Sequence, residues 1–242
     1  MALAGCLGLA CLAGAAQAAE PGLAGRLVAA APAADPKVLE LAARATECAH
    51  RQGLLDRPEH LAVIDYSLPS TEPRLWVFDL EGNRLLFQEL VAHGRNTGER
   101  LAERFSNVEG SRMSSIGLYR TADTYYGSNG YSLRLQGLDP GFNDNALARA
   151  IVMHGAPYVS EAIAERLGRL GRSWGCPALR QEVARTVIDT IKGGALLFAY
   201  YPDRKWLAES PFFRCGDESR RAGPAAVPAA AATTAATLAQ AR

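Results

Sequence analysis

The chain has 242 residues and nearly balanced charge, 26 Lys and Arg against 25 Asp and Glu. That length holds one generous domain or one domain with appendages. The balance excludes a partner recognised by bulk charge, such as nucleic acid or an anionic membrane surface. Histidine is scarce, with four in the chain, so each one can be weighed singly.

Residues 1–19 are almost wholly Ala, Leu, Gly and Cys, and Ala16-Gln17-Ala18 matches a small-residue cleavage site, so a cleaved export signal is expected. Its positively charged n-region is missing, which points to a true start upstream of Met1. The run is too short and too rich in Gly and Ala for a transmembrane helix. Leu3-Ala4-Gly5-Cys6 offers the alternative of a lipoprotein box, but no hydrophobic segment precedes it. Either signal places the mature protein outside the cytoplasm, in the periplasm or cell envelope, where disulfides form.

Residues 20–58 read as a linker and one helix. The linker, 20–34, is Ala, Gly and Pro without periodicity. Asp35-Pro36 then supplies an N-cap and a first helical position. Val38, Leu41, Ala42, Ala45, Cys48 and Ala49 follow at helical spacing, and Gly53 ends the helix.

Residues 59–203 read as the main domain, mostly β with a few helices. Leu61-Ala62-Val63-Ile64-Asp65-Tyr66 is a strand. Residues 74–80 and 84–92 form a hairpin around Glu81-Gly82-Asn83. Residues 93–98 read as a polar surface loop, 115–120 as a short strand, and 125–131 as a Gly- and Tyr-rich loop. Ser132-Leu133-Arg134-Leu135 alternates as a half-buried strand. Ile151-Val152-Met153 is a buried strand that delivers His154 to its end. Ser160 caps a short helix. Leu179, Val183, Val187 and Ile191 step by four, which predicts a helix starting just after Cys176 and stopping at Gly193-Gly194. Residues 195–201 are a closing strand, 204–219 a C-terminal extension, and 220–242 a disordered Ala/Pro/Thr tail.

Two stretches carry chemistry. Gly171-Arg172-Ser173-Trp174-Gly175-Cys176-Pro177 places a thiol in a turn punctuated by Gly and Pro, and Met153-His154-Gly155 places an imidazole at a strand end. A thiol needs a base to become a nucleophile, and imidazole is the usual one. Gly175 lets the backbone bend so that amides point at a reacting carbonyl oxygen. At a helix N-terminus the thiolate and the oxyanion would both be favoured. The plainer reading is that Cys176 only fills core. No second Cys or His lies at ligand spacing from either residue, so neither a metal nor a cofactor is expected.

These blocks resemble a known family. Tyr131-Ser132-Leu133-Arg134-Leu135, Arg149-Ala150-Ile151-Val152-Met153-His154-Gly155-Ala156, Tyr158-Val159-Ser160 and Gly171 to Leu179 are similar, in this order, to the murein L,D-transpeptidase catalytic domain. The resemblance implies a β-rich catalytic fold and an exported enzyme whose partners are peptidoglycan stem peptides. Cys176 would be the nucleophile, His154 the base and later the acid, Ser173 the group that orients His154, and the Gly175 and Cys176 amides the oxyanion hole. The product would be a 3→3 cross-link. The family often has His where this chain has Trp174, and Arg or Asn where it has Ala178. The second departure leaves the substrate carboxylate without its usual contact, for which Arg172 is a candidate. Trp174, Tyr158 and Tyr131, with Tyr125 and Tyr126, are candidates to line a peptide groove, and as buried aromatics they would be ordinary core. His93 is a weaker second candidate base; His50 and His60 read as exposed. Two other readings fit the same residues: a thiol hydrolase, which gives the acyl group to water, and a peptidoglycan-binding module without catalysis. Nothing in the sequence sets an oligomeric state.

Removing the signal takes away Cys6 and Cys11 and leaves Cys48, Cys176 and Cys215. A catalytic Cys176 must stay free, so Cys48 pairs with Cys215. The alternative is that Cys48 fills core and Cys215 is free.

Overall fold

The computed structural model describes residues 21–215 apart from Arg57. The expected export segment, 1–19, and the small-residue tail, 220–242, lie outside the described residues. Nine strands form one sheet: β1 (His60–Asp65), β2 (Leu75–Asp79), β3 (Arg84–Glu89), β4 (Val91–Ala92), β5 (Gly117–Gly127), β6 (Gly130–Gly137), β7 (Val152–Gly155), β8 (Ala178–Leu179) and β9 (Leu196–Tyr200). The helices are α1 (Leu23–Ala30), α2 (Pro36–Arg51), α3 (Glu161–Leu167), α4 (Gln181–Ile191) and α5 (Arg204–Glu209), followed by a 3-10 turn at Pro211–Phe213. The chain is therefore mostly β with a few helices.

The strand order is β3-β2-β1-β9-β5-β6-β7-β8-β4, with β1/β9 and β7/β8 parallel and the other neighbours antiparallel. Its edge strands, β3 and β4, are joined through Leu90 alone. One residue reaches only about 3.5 Å, so the sheet must curl until its edges nearly meet. The resulting near-barrel leaves little unpaired edge for another chain to add to.

Alternation along the strands separates the two main core clusters, and a third, smaller one lies around Leu170 and Ala178. Leu61 and Val63 of β1, with Trp76 and Phe78 of β2, face α1, α2, Trp206, Phe212 and Phe213. Ala62 and Ile64, with Leu75 and Val77, face the other way, into a cluster with Leu133, Met153, Val187 and Ile188. Helix α2 forms as expected: the Asp35 carboxylate accepts from the Lys37 amide at 2.8 Å and Pro36 opens the first turn. It buries Val38 and Leu39 completely, worth about 3–6 kcal/mol together. Cys48 at the far end of α2 is bonded to Cys215, with 5.6 Å between their Cα atoms. The pairing reached by counting cysteines is the one present.

Four local expectations are corrected. The 20–34 linker contains α1, because Leu23 and Leu27 are buried one helical turn apart among alanines that hide the pattern. The Gly- and Tyr-rich loop is the tip of the β5–β6 hairpin, Gly127 pairing with Gly130. The loop at 93–98 is not a surface loop: His93, Gly94, Thr97 and Gly98 are all buried. Strand β8 intervenes between Cys176 and α4, which starts only at Gln181. The cysteine turn therefore enters a strand and not a helix.

Candidate active site

Register places the two reactive side chains. In β7, His154 pairs with Ser132 of β6 on one side and with Ala178 of β8 on the other. Cys176 lies two residues before Ala178, in the turn that enters β8, so the register brings the cysteine turn to the end of β7 that carries His154. The His154 ring is buried, and its Nδ1 lies 2.9 Å from the Gly155 carbonyl. A carbonyl only accepts, so Nδ1 carries the proton and Nε2 keeps its lone pair. That is the tautomer a general base needs. Burial pushes His154 below the usual imidazole value, with the Gly155 bond opposing the shift.

Cys176 is the free cysteine among the described residues, and it is buried. Its thiol points at the Ala150 carbonyl, 3.8 Å away. Burial raises its pKa, while the Val152 amide and the Arg149 guanidinium pull it down. With the thiol shifted up and the imidazole down, the resting pair is neutral rather than thiolate and imidazolium. The two side chains are not hydrogen-bonded to each other; catalytic bonds of this kind often tighten only with substrate bound.

The turn holding Cys176 is tied from inside and outside. Ser173 Oγ donates to the Cys176 carbonyl at 2.6 Å and accepts from the Gly175 amide at 3.0 Å. Ser173 thus sets the turn; its hydroxyl makes no hydrogen bond to His154, whose Nδ1 bonds the Gly155 carbonyl. The Gly175 amide is already engaged, which differs from its expected oxyanion role. The Cys176 amide makes no hydrogen bond to the backbone among the described residues. Gly175 has φ +126°, and a Cβ there would come within 2.7 Å of the Met113 carbonyl. From outside, Ser114 Oγ donates to the Gly175 carbonyl at 3.0 Å and accepts from the Gly94 amide at 3.0 Å. Residues 93–95 flank Ser173, its amide donating to the His93 carbonyl at 3.0 Å and its carbonyl accepting from the Arg95 amide at 2.8 Å.

Two arginines in this support carried no sequence signal. Arg149 donates to the carbonyls of Ser106 (2.7 Å) and Met113 (2.6 Å), and to the Ser111 and Ser115 hydroxyls. It fastens residues 106–115 under the turn and is the cation that acts on Cys176. Arg74 is fully buried; it donates to the Val91 and Leu68 carbonyls and, at 2.8 Å, to His93 Nδ1. His93 Nε2 therefore donates to the Gly98 carbonyl, 3.3 Å away. Burial, with Arg74 adding repulsion, pushes His93 down to about 3, so it stays neutral and structural. Its candidacy as a second base is withdrawn.

The expected substrate-binding residues do not all meet. Arg172 donates to Glu99 (2.5 Å) and to the Arg95 and Gly98 carbonyls (both 3.1 Å), and so braces the 95–99 loop. Trp174 is 68% exposed, with the Arg112 guanidinium 4.7 Å from its ring centre. Tyr158 is half-buried; its hydroxyl is pushed up to about 12 by burial and, less strongly, by Cys176. Tyr131 departs from expectation. It neighbours Ser132, which shares the face of His154, so Tyr131 points the other way and bonds Asp189 of α4 at 2.6 Å. Tyr125 pairs with Ser132 and so shares the face of His154, with Arg134 stacked 4.2 Å from its ring centre. His50 is exposed and His60 half-buried.

A curled β-sheet thus carries a free, buried cysteine in the turn entering β8 and a buried histidine on the neighbouring strand β7. The chain belongs to the family described as the L,D-transpeptidase catalytic domain, which matches residues 30–200. Solved structures similar to it include an L,D-transpeptidase from Mycobacterium smegmatis, 14% identical over 59% of this chain and 59% of that one, with a TM-score of 0.36. L,D-transpeptidase 3 from Mycobacterium tuberculosis, in complex with a faropenem-derived adduct, is 16% identical over 60% of this chain and 61% of that one, at the same TM-score of 0.36. The chain thus spans about three-fifths of the length of these structures. No curated protein sequence matches it.

Proposed function

We propose that the protein is an exported cysteine acyltransferase that forms 3→3 cross-links between peptidoglycan stem peptides. The observation that carries this reading is the free Cys176 beside a β7 strand that presents His154 with Nε2 unprotonated. In the proposed reaction, His154 Nε2 takes the thiol proton as Sγ attacks the carbonyl of the third, L-centre residue of the donor stem. The oxyanion meets the Cys176 amide. The tetrahedral adduct collapses to a thioester, and His154 returns the proton to the departing amine of the terminal D-alanine. An amine of a neighbouring stem then attacks the thioester, His154 takes its proton, and Cys176 leaves as the thiol. We read residues 59–203 as the catalytic unit, 20–58 and 204–219 as extensions and 1–19 as its export signal. The Cys48–Cys215 bond supports an oxidising compartment, the periplasm or cell envelope.

Mass spectrometry of muropeptides incubated with the purified protein tests the reading. Dimers joined between two diamino acids are expected. Trimmed monomers alone would assign a hydrolase, and an unchanged profile would leave a binding module. A carbapenem supplies a second prediction, because its strained ring is an acyl donor for an activated thiol. The intact mass is expected to rise by one drug equivalent, with none on Cys176→Ser. Labelling that maps to another cysteine contradicts the site.

A further inference from the structure

Cations crowd the mouth of the site, yet most are already spent. Arg172 pairs with Glu99, Arg149 is consumed by residues 106–115, Arg180 pairs with Glu89, and Arg134 pairs with Asp123. Arg112 differs. It is exposed, and its guanidinium makes no ion pair or side-chain hydrogen bond among the described residues. It is nevertheless placed: the planar group lies over the Trp174 ring, 4.7 Å from its centre. Its backbone is fixed as well, with φ +56° and its carbonyl accepting from the Asn96 amide at 3.1 Å. Trp174 is two residues from the nucleophile, and neighbouring Met113 and Ser114 touch Gly175 of the same turn. A guanidinium stacked on an aromatic face keeps its N–H edge free, in the fork geometry that matches a carboxylate.

We propose that Arg112 and Trp174 form a clamp for the terminal carboxylate of an extended peptide donor, with Trp174 carrying the apolar part of the terminal residue and Arg112 the charge. The clamp rests on the acyl-transfer reading for its substrate. It supplies the carboxylate contact that Ala178 cannot make and that Arg172 is not free to make. Arg95, whose amide bonds the Ser173 carbonyl, is another cation uncommitted among the described residues, but no contact fixes the direction of its side chain.

Trp174 also provides the readout. Trp76 and Trp206 are buried, so Trp174 is the exposed indole of the three in the chain. Its emission is titrated in the Cys176→Ala protein, which cannot turn over, with a D-alanine-terminated tetrapeptide as the free acid and as the C-terminal amide. The acid is expected to bind about tenfold or more tighter than the amide, the worth of a charge-assisted hydrogen bond. Arg112→Ala erases that ratio, Arg112→Lys keeps part of it, and Arg95→Ala leaves it intact. The clamp is overturned if the parent protein does not discriminate, if Arg112→Ala discriminates as the parent does, or if Arg95→Ala is the change that abolishes it. Turnover is read separately, on muropeptides. Selective binding without turnover removes the acyl-transfer reading and keeps the clamp; turnover with an unaltered ratio in Arg112→Ala does the reverse.

Discussion

Cys176→Ala is expected to abolish product formation and leave the fold in place, and His154→Ala to slow turnover by roughly 10²–10⁴-fold, the usual worth of a positioned general base. The fold survives because the thiol only contacts the Ala150 carbonyl at 3.8 Å, while the turn is held by Ser173, Gly175 and Ser114. Losing the sulfur removes about 1 kcal/mol of burial. The pH profile separates this mechanism from one with a preformed ion pair. Burial lowers His154 and raises Cys176, so near neutrality the base is unprotonated and the thiol protonated. Activity is expected to persist into mild acid and to fall only as His154 gains a proton, below the usual imidazole value. Near-normal turnover in either purified variant, or an acid limb at or above the ordinary histidine range, contradicts the roles given to the pair.

What the residues disclosed follows from which interactions are local. The Asp35-Pro36 start of α2 and the Ser160 cap of α3 are local, and both were legible. So were β1, a continuous apolar run buried on both faces, and β6, whose residues alternate. The chemistry of Cys176 and His154 was legible from residue type, because a thiol in a Gly-Pro turn and an imidazole at a strand end narrow the choice. Their proximity was not, since it depends on β7 and β8 lying parallel with His154 opposite Ala178. Parity decided Tyr131 in the same way. A shift of one residue sends a side chain to the other face, and Tyr131 falls on the α4 side while Ser132 falls on the side of His154. Strand β8 is two residues long, too short to interrupt a four-step apolar pattern, so Leu179 was counted into the following helix. Arg74 and Arg149 left no trace because they bond backbone carbonyls far along the chain, and a buried arginine reads in sequence like any solvated one.

Removing the Cys48–Cys215 bond is the change with the largest expected effect on stability. The bond links positions 167 residues apart, so opening it restores to the unfolded chain an entropy worth about 5 kcal/mol on the loop-closure model. Domains of this kind are stable by only about 5–15 kcal/mol, so the bond is a large fraction of what holds the fold. The native contacts it reinforces are apolar and already well packed: Trp206, Phe212 and Phe213 lie against Phe198, and Arg44 of α2 donates to the Phe213 carbonyl. Cys215→Ser is the cleaner variant, because Cys215 lies nearer the surface while Cys48 stays in the apolar stripe of α2. At about 2–4 °C per kcal/mol for a chain of this size, its midpoint is expected to fall by about 10–20 °C. Counting thiols in the mature, unreduced protein under denaturant checks the bond itself: one reactive thiol, at Cys176, is expected, and three would rule the bond out. The variant is also expected to retain its turnover well below its midpoint. The Cys176 turn is fastened by residues 93–98 and 106–115, and among the described residues neither segment is hydrogen-bonded to α2, so the bond secures the frame without setting the geometry of the thiol.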